Sequence, residues 1–361
     1  MNVADRVARL VRPEIRATRA YAVADADGRI KLDAMESPYP LPPEIKQAWL
    51  DTLREVEVNR YPDADARALK QSLREAMAIP ADMELLLGNG SDELIQVVLL
   101  AVARPGSYVL APTPTFVMYE VITNAVGMGF VGVALTEDFG LDVVSMRTAM
   151  QRYEPLVTFI ACPNNPTGNL FTTDAVEELV SDAPGLVVID EAYFAFTDSS
   201  YIDHLHRYDN LLVLRTLSKM GLAGLRLGLL AGAPAWIEEL NKVRLPYNIN
   251  SLTQASAQFM LKRREFIAEH VRQIRSERQR VFTALSDIAG VRVWPSETNF
   301  ILFRVQSREA KDVYEGLYTA GVLVKNLDPQ GGALHGCVRV TIGTPVENDA
   351  FINALKEVLG A

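Results

Sequence analysis

The sequence predicts an α/β protein, with a mainly parallel sheet covered by helices in a large part and a smaller α+β part after it. Three observations lead there. Short apolar, β-rich runs alternate with amphipathic stretches through the middle of the chain, the pattern of a parallel sheet with helical crossovers. Runs such as LVVID at 186–190 are apolar at almost every position, as strands buried on both faces must be. After residue 250 the alternation gives way to a long stretch without Gly or Pro, then to short strands and helices.

In chain order, strands are expected at Glu84–Leu87, Ser107–Ala111, Val157–Cys162, Leu186–Asp190, Leu211–Thr216 and Leu227–Ala231. Apolar residues recur with helical spacing at Asp92–Ala103 and Thr173–Ser181. Ser251 to about Ile288 is rich in Ala, Gln, Arg and Glu and reads as one long helix or two in series. Short strands follow at Val291–Trp294, Phe300–Val305, Val322–Lys325 and Val338–Ile342, with helices near Glu309–Ala320 and Asn348–Leu359. The first 45 residues, with prolines at 38, 40, 42 and 43, are expected to wrap onto this second part. A length of 361 residues fits about two domains. The expected division is residues 46–250 for the large part, and residues 1–45 with 251–361 for the small one.

Composition narrows the function. Hydrophobic residues at 49% and charged residues at 22% match a globular chain and exclude wholesale disorder. The charge sum, 36 − 45 = −9, provides no global field for nucleic acid or anionic lipid. An anionic substrate must therefore be held by a local cluster of cations. The longest apolar run, Val97 to Val102, is too short to span a bilayer. The N-terminus has no apolar signal core, and Asp5 and Glu14 among its five arginines argue against a transit peptide. Two cysteines, Cys162 and Cys337, make no disulfide framework and fit free thiols in a reducing compartment, so a cytoplasmic location is expected.

Five segments carry chemistry. In RTLSKMGLAGLRLG (215–228), Ser218 and Lys219 lie in the turn after a strand, with Arg226 seven residues beyond the lysine. A lysine there sits at the mouth of the sheet, where α/β ligands bind. Partial desolvation near other cations makes such an amine nucleophilic and able to form a Schiff base. In VVIDEAYFAF (187–196), Asp190 ends an apolar strand, so its carboxylate reaches the carboxyl edge of the sheet. It suits a pyridinium nitrogen, or alternatively a helix cap. Tyr193, three residues on, can reach an oxygen of the same ring. CPNNPTGN (162–169) is a tight loop after another strand, and Asn165 offers an amide donor. In LLLGNGSDELIQ (85–96), glycines flank Asn89 and Ser91-Asp92 opens an apolar helix whose first N–H groups can hold a phosphate. Asp92 and Glu93 would repel that phosphate while suiting the helix dipole, so Arg226 must supply the neutralising charge. In PTPTFVMYE (112–120), Phe116 either stacks on a flat ring or packs in the core. A lysine, an aspartate, an asparagine and a phosphate cradle, each just after a strand, match pyridoxal phosphate.

With these motifs the chain resembles the fold-type I pyridoxal-phosphate aminotransferases, and among them the histidinol-phosphate aminotransferases. The resemblance runs from about Tyr21 to the C-terminus and rests on LDAMESPY (32–39), NRYPD (59–63), GNGSDE (88–93), PNNPTGN (163–169), DEAYFAF (190–196), RTLSKMGLAGLRLG (215–228), ETNFILF (297–303) and VRVTIGT (338–344). It implies that Lys219 links to the cofactor and carries the proton shift, and that Asp190 pairs with the ring nitrogen. Tyr193 and Asn165 would bond the ring oxygen, and Phe116 would stack on the ring. Ser91, Ser218 and Arg226, with the Ser91 and Asp92 amides, would hold the phosphate. Tyr61 matches a tyrosine that reaches the neighbouring subunit's cofactor phosphate, implying a homodimer. Arg339 matches the arginine that binds the substrate's anionic group, and Tyr21 and Tyr39 are candidates to face an imidazole.

Three departures from the family pattern stand out. An asparagine-rich N-terminal motif reads Met35-Glu36-Ser37-Pro38-Tyr39, the Lys219–Arg226 loop is one residue short, and a second substrate-binding arginine is replaced by Lys325. Lysine keeps the charge and loses the planar fork. The implied reaction is ping-pong transamination between glutamate and imidazole acetol phosphate, giving 2-oxoglutarate and histidinol phosphate, with no metal. The alternatives are an aromatic amino acid aminotransferase and a threonine-phosphate decarboxylase-like lyase of the same fold. A non-catalytic regulator is disfavoured by the short stretch before Tyr21, by the charge, and by the presence of Lys219 with Asp190.

Overall fold

The computed structural model describes residues 2–18, 20 and 23–360. Its strands are β1 (Ile30–Lys31), β2 (Glu84–Asn89), β3 (Tyr108–Thr113), β4 (Gly129–Ala134), β5 (Val157–Ala161), β6 (Leu186–Asp190), β7 (Leu211–Thr216), β8 (Leu227–Gly232), β9 (Val291–Val293), β10 (Phe300–Val305), β11 (Val322–Leu323), β12 (Lys325–Asn326) and β13 (Cys337–Thr341). Seven of them form one sheet in the order β2-β8-β7-β6-β5-β3-β4. Only β8 runs antiparallel to its neighbours in it. A four-stranded antiparallel sheet has the order β12-β13-β10-β9, and β1 pairs in parallel with β11.

The apolar strands explain the layering. Side chains of a strand alternate between faces, and here each face feeds its own core. Leu85, Leu87, Val187, Ile189, Leu211 and Val213 enter one core, while Leu86, Leu186, Val188, Leu212 and Leu214 enter the other. Each such side chain, fully buried, stabilises the fold by about 1.5–3 kcal/mol. Helix Ser91–Val102 covers the second face and helices Arg67–Ala76 and Thr173–Asp182 the first. A third core, with Phe300, Phe303, Val340 and Phe351, belongs to the antiparallel sheet, and Tyr193 and Phe196 from just beyond β6 reach into it.

Differences from the sequence reading are local. The run 322–325 divides at Val324: β11 pairs with β1, and β12 pairs with β13. The stretch after Ser251 is two helices, Ser251–Leu261 and Glu265–Ser286. Their buried faces explain the break. The first helix packs Ala257, Phe259 and Met260 into the large-sheet core, whereas the second starts there with Ile267 and ends with Ile274, Val281 and Leu285 in the antiparallel-sheet core. Strand β4 and helices Met118–Val126 and Val143–Tyr153 are absent from the sequence reading. β4 is an edge strand, half-buried along most of its length, so it has no continuous apolar run. Among the described residues no helix is long and apolar enough to cross a membrane.

Candidate active site

The carboxyl ends of β2, β5, β6 and β7 open onto one cleft of about 580 Å³, the edge at which open α/β sheets bind ligands. The loops leaving these ends bring Ser91, Asp92, Asn165, Asp190, Tyr193, Ser218, Lys219 and Arg226 to its lining, with Phe116 and Met35 closing it.

Asp190 is the last residue of β6 and is buried. Tyr119 Oη donates to its Oδ2 at 2.7 Å and the Ala192 amide donates to its Oδ1 at 2.9 Å. Burial pushes the carboxyl up to about 6, against the opposing effect of the Tyr119 hydrogen bond. The strand end is rigid: next to it, Glu191 forms a buried ion pair with Arg215 of β7, Nε to Oε2 at 2.8 Å. Such a carboxylate is built to meet a cationic partner.

Lys219 lies in the 3-10 turn Ser218–Met220 that follows β7. Burial in the cleft, reinforced by the positive charge of Arg339, lowers its amine to about 8, while Asp92 and Glu36 pull the other way. The amine is thus partly neutral near physiological pH, as a nucleophile or base must be.

The turn from β2 into helix Ser91–Val102 makes an anion cradle. No side chain caps the helix start, so its first N–H groups keep their hydrogen bonds for a ligand. Gly90 sits at φ +85°, and a Cβ there would lie 2.6 Å from Arg226 Nη2. A Cβ on Gly228 would lie 2.7 Å from the Ser91 amide nitrogen. Both glycines are needed for the arginine and the β8 backbone to approach. Glu93 is turned aside, its Oε2 accepting from the Asn89 amide and from Asn248 Nδ2. Asp92 remains, its carboxyl pushed up by burial against the charges of Arg226 and Lys219. Ser218 is buried, with its Oγ accepting from Thr216 Oγ1 at 2.9 Å.

Asn165 and Arg339 meet. Arg339 Nη1 donates to Asn165 Oδ1 at 2.6 Å and Nη2 to the Asp33 carbonyl at 3.0 Å. With its oxygen engaged, Asn165 has its amide N–H groups to offer. Lys325 of β12 is directly opposite Arg339 in the β12–β13 register, which places both cations on one face of that sheet. The Tyr193 ring packs edge-on against Phe300, and its Oη donates to Met35 Sδ at 3.3 Å. Phe116 sits edge-on to Tyr119. The donor set fits pyridoxal phosphate: a carboxylate for the ring nitrogen, Tyr193 and Asn165 for the ring oxygen, the cradle for the phosphate and an amine to link.

Among the described residues, Lys325, Tyr39 and Tyr61 are expected ones that do not line this cleft; Lys325 lines a neighbouring cavity with Phe116. Tyr39 stacks on His270, with ring centroids 4.9 Å apart, and does not line the cleft. Tyr61 is 81% exposed and stacks on Tyr247. Tyr21 lies outside the described residues. Sequence reasoning misses Tyr119 as a site residue. It lies three residues after Phe116 in a helix that the sequence reading does not contain, and its ring is core, stacked on Phe159. Only its hydroxyl belongs to the site. Met35 stands out in the sequence only as part of a departure from the family motif, and the structure makes it a cleft residue.

Residues 27–355 match the family model "Aminotransferase class I and II". The chain is 55% identical to histidinol-phosphate aminotransferase 2 of Nitrosococcus oceani over 98% of both chains. It is 48% identical to the histidinol-phosphate aminotransferase of Chromobacterium violaceum, over 97% of this chain and 98% of that one. The crystal structure of histidinol-phosphate aminotransferase from Sinorhizobium meliloti in complex with pyridoxal-5'-phosphate shares the fold, with a TM-score of 0.85 at 23% identity over 96% of this chain and 97% of that one. The chain belongs to the class I and II aminotransferases, in the group that its relatives define as histidinol-phosphate aminotransferases.

Proposed function

We propose that this chain transfers the amino group of glutamate to imidazole acetol phosphate, giving 2-oxoglutarate and L-histidinol phosphate in histidine biosynthesis, with pyridoxal phosphate as cofactor. The observation that carries the chemistry is one cleft holding Lys219, with its amine lowered to about 8, beside the buried Asp190 and the Ser91–Arg226 cradle. The identity of 55% over 98% of the chain supports the substrate.

When bound, pyridoxal phosphate supplies an electron sink that stabilises negative charge at the substrate Cα. The chain does the rest. The Ser91 and Asp92 amides, the Ser91 and Ser218 hydroxyls and the Arg226 guanidinium would hold the phosphate. Asp190 would accept from the ring nitrogen and keep it protonated, and Phe116 would stack on the ring face. Tyr193 Oη and the Asn165 amide would donate to the ring oxygen. Lys219 Nζ would take the proton leaving the substrate Cα and deliver it to the cofactor carbon at the other end of the shift. Arg339 and Lys325 draw in the substrate's phosphate or carboxylate. Tyr39 is left out because its ring is engaged with His270.

The working form is a homodimer in which Tyr61 reaches the neighbouring subunit's cofactor phosphate; its exposure outside its own cleft supports this. Residues 46–250 carry the cofactor side, and residues 1–45 with 251–361 close over it, with Ser251–Leu261 lodged in the larger core as the connection. Two buried unpaired cysteines support a cytoplasmic location. The test is an absorbance titration of the cofactor-loaded protein with histidinol phosphate and, separately, phenylalanine. Bleaching by histidinol phosphate at low concentration supports the reading. Bleaching by phenylalanine alone makes the enzyme an aromatic aminotransferase of the same fold.

A further inference from the structure

Met35 is held at φ +56°, a left-handed conformation that costs energy for any residue with a long side chain. Two buried side chains impose it. The Met35 amide donates to Thr341 Oγ1 at 2.9 Å, and Asn299 Nδ2 donates to the Met35 carbonyl at 2.9 Å. Thr341 is 2% exposed and Asn299 is fully buried. Thr341 pairs with Phe300, the neighbour of Asn299, so both come from one end of the β10–β13 pair. Strain of this kind persists where the surroundings over-determine it, and it gathers where a side chain must be aimed.

The aim is into the cleft. Met35 lines it beside Tyr193, whose Oη donates to the sulfur at 3.3 Å. On the same tyrosine, Lys219 Nζ lies 6.0 Å from the ring centroid. The thioether and the reactive amine therefore flank one ring, and a substrate whose amine is brought to Lys219 shares the cleft with the Met35 side chain. A thioether donates no hydrogen bond and accepts weakly, but it is polarisable and packs well against ring edges. A carboxylate chain gains nothing from it. Tyr193 has one proton to donate, and once that goes to the ring oxygen the sulfur is left as an apolar wall.

We propose that Met35 determines specificity, its apolar side chain forming the surface on which a ring-bearing substrate lies and so favouring that substrate over glutamate. The proposal rests on reading the cleft as an aminotransferase site.

Two variants test it. Met35→Asn suits the left-handed backbone and replaces the wall with an amide. Met35→Leu keeps an apolar wall and loses the sulfur. For each, the half-reactions with histidinol phosphate and with glutamate are followed by absorbance, separating apparent dissociation constant from rate, and the thermal midpoint is recorded. For Met35→Asn, the apparent dissociation constant for histidinol phosphate rises about fivefold to tenfold while that for glutamate moves less than about twofold. Its thermal midpoint is unchanged or higher. Met35→Leu retains the parent preference within about threefold. Equal losses on both substrates, or loss on neither, overturn the proposal. If the parent is not bleached by histidinol phosphate, the functional reading has failed. Phenylalanine then serves as the ring substrate, and the same ratio decides Met35.

Discussion

The two walls of the cleft are built by different means. On the large-sheet side, every functional group comes from a short loop at the end of a buried strand: Asp190 closes β6, and Ser218 and Lys219 follow β7 within three residues. Their positions are fixed by a core that exists whether or not a ligand is present. On the opposite side, Met35, the Asp33 carbonyl and Arg339 meet from segments about 300 residues apart, joined by the Thr341–Met35 and Arg339–Asp33 bonds. Chemistry sits on rigid elements, and selection among substrates sits on contacts between remote segments. Substitutions on the first wall should remove the reaction, and substitutions on the second should redistribute it among substrates.

The largest effect comes from Lys219→Ala. Turnover should fall by at least about a thousandfold, since base and covalent link are lost together. The thermal midpoint of the cofactor-free protein should hold or rise, because a desolvated amine is removed. A variant that transaminated at the parent rate would take the lysine out of its role.

Asp190→Asn separates activity from stability on the same wall. An unfolded aspartate ionises near pH 4, and the folded one near 6 because it is buried. Between those values the folded state holds more protons, so cofactor-free stability falls as pH rises through this window and is level above it. The substitution should flatten that dependence and stabilise the cofactor-free protein above pH 6 by roughly 2–3 kcal/mol. Turnover should drop about a hundredfold or more as the ring nitrogen loses its anion. Denaturant melts from pH 4 to 8, without cofactor, check the first outcome, and single-turnover rates check the second.

The same contrast explains what the sequence made legible. Continuous apolar runs marked β5, β6 and β7, and turn residues after them marked the loops, so the first wall could be read by local rules. The second could not. Lys325 and Arg339 become cross-strand neighbours only because the 3-10 turns Asp328–Gln330 and Gly332–Leu334, joined through Gly331, fold the chain back. Tyr39 reads as a site aromatic, yet His270 from the helix Glu265–Ser286 takes its ring. Nothing in the sequence singles out Tyr119, whose ring is core. Its hydroxyl gains a role only through Asp190, which lies 71 residues away in the chain.

On the second wall, Arg339→Lys keeps the charge and loses the fork that serves Asn165 with one nitrogen and Asp33 with the other. Apparent affinity for both anionic substrates should weaken by about tenfold to a hundredfold, with a smaller change in the limiting rate. Half-reaction titrations with glutamate and histidinol phosphate measure the two together. A loss confined to the limiting rate would move Arg339 onto the first wall, acting through Asn165 on the ring oxygen.

The smallest effect sharpens the comparison most, because Tyr119 acts only through Asp190. Tyr119→Phe keeps the ring on Phe159 and removes the hydrogen bond that favours the ionised carboxylate. The Asp190 carboxyl should therefore titrate higher than in the parent, since that bond opposes the effect of burial. Turnover at neutral pH should fall only several-fold. The acid limb of the pH–rate profile should move to higher pH, and a more alkaline buffer should recover most of the loss. A merely structural tyrosine would lower the rate equally at every pH. If the limb moves, the large-sheet wall extends one layer behind the groups that meet the ligand, into residues whose rings belong to the core.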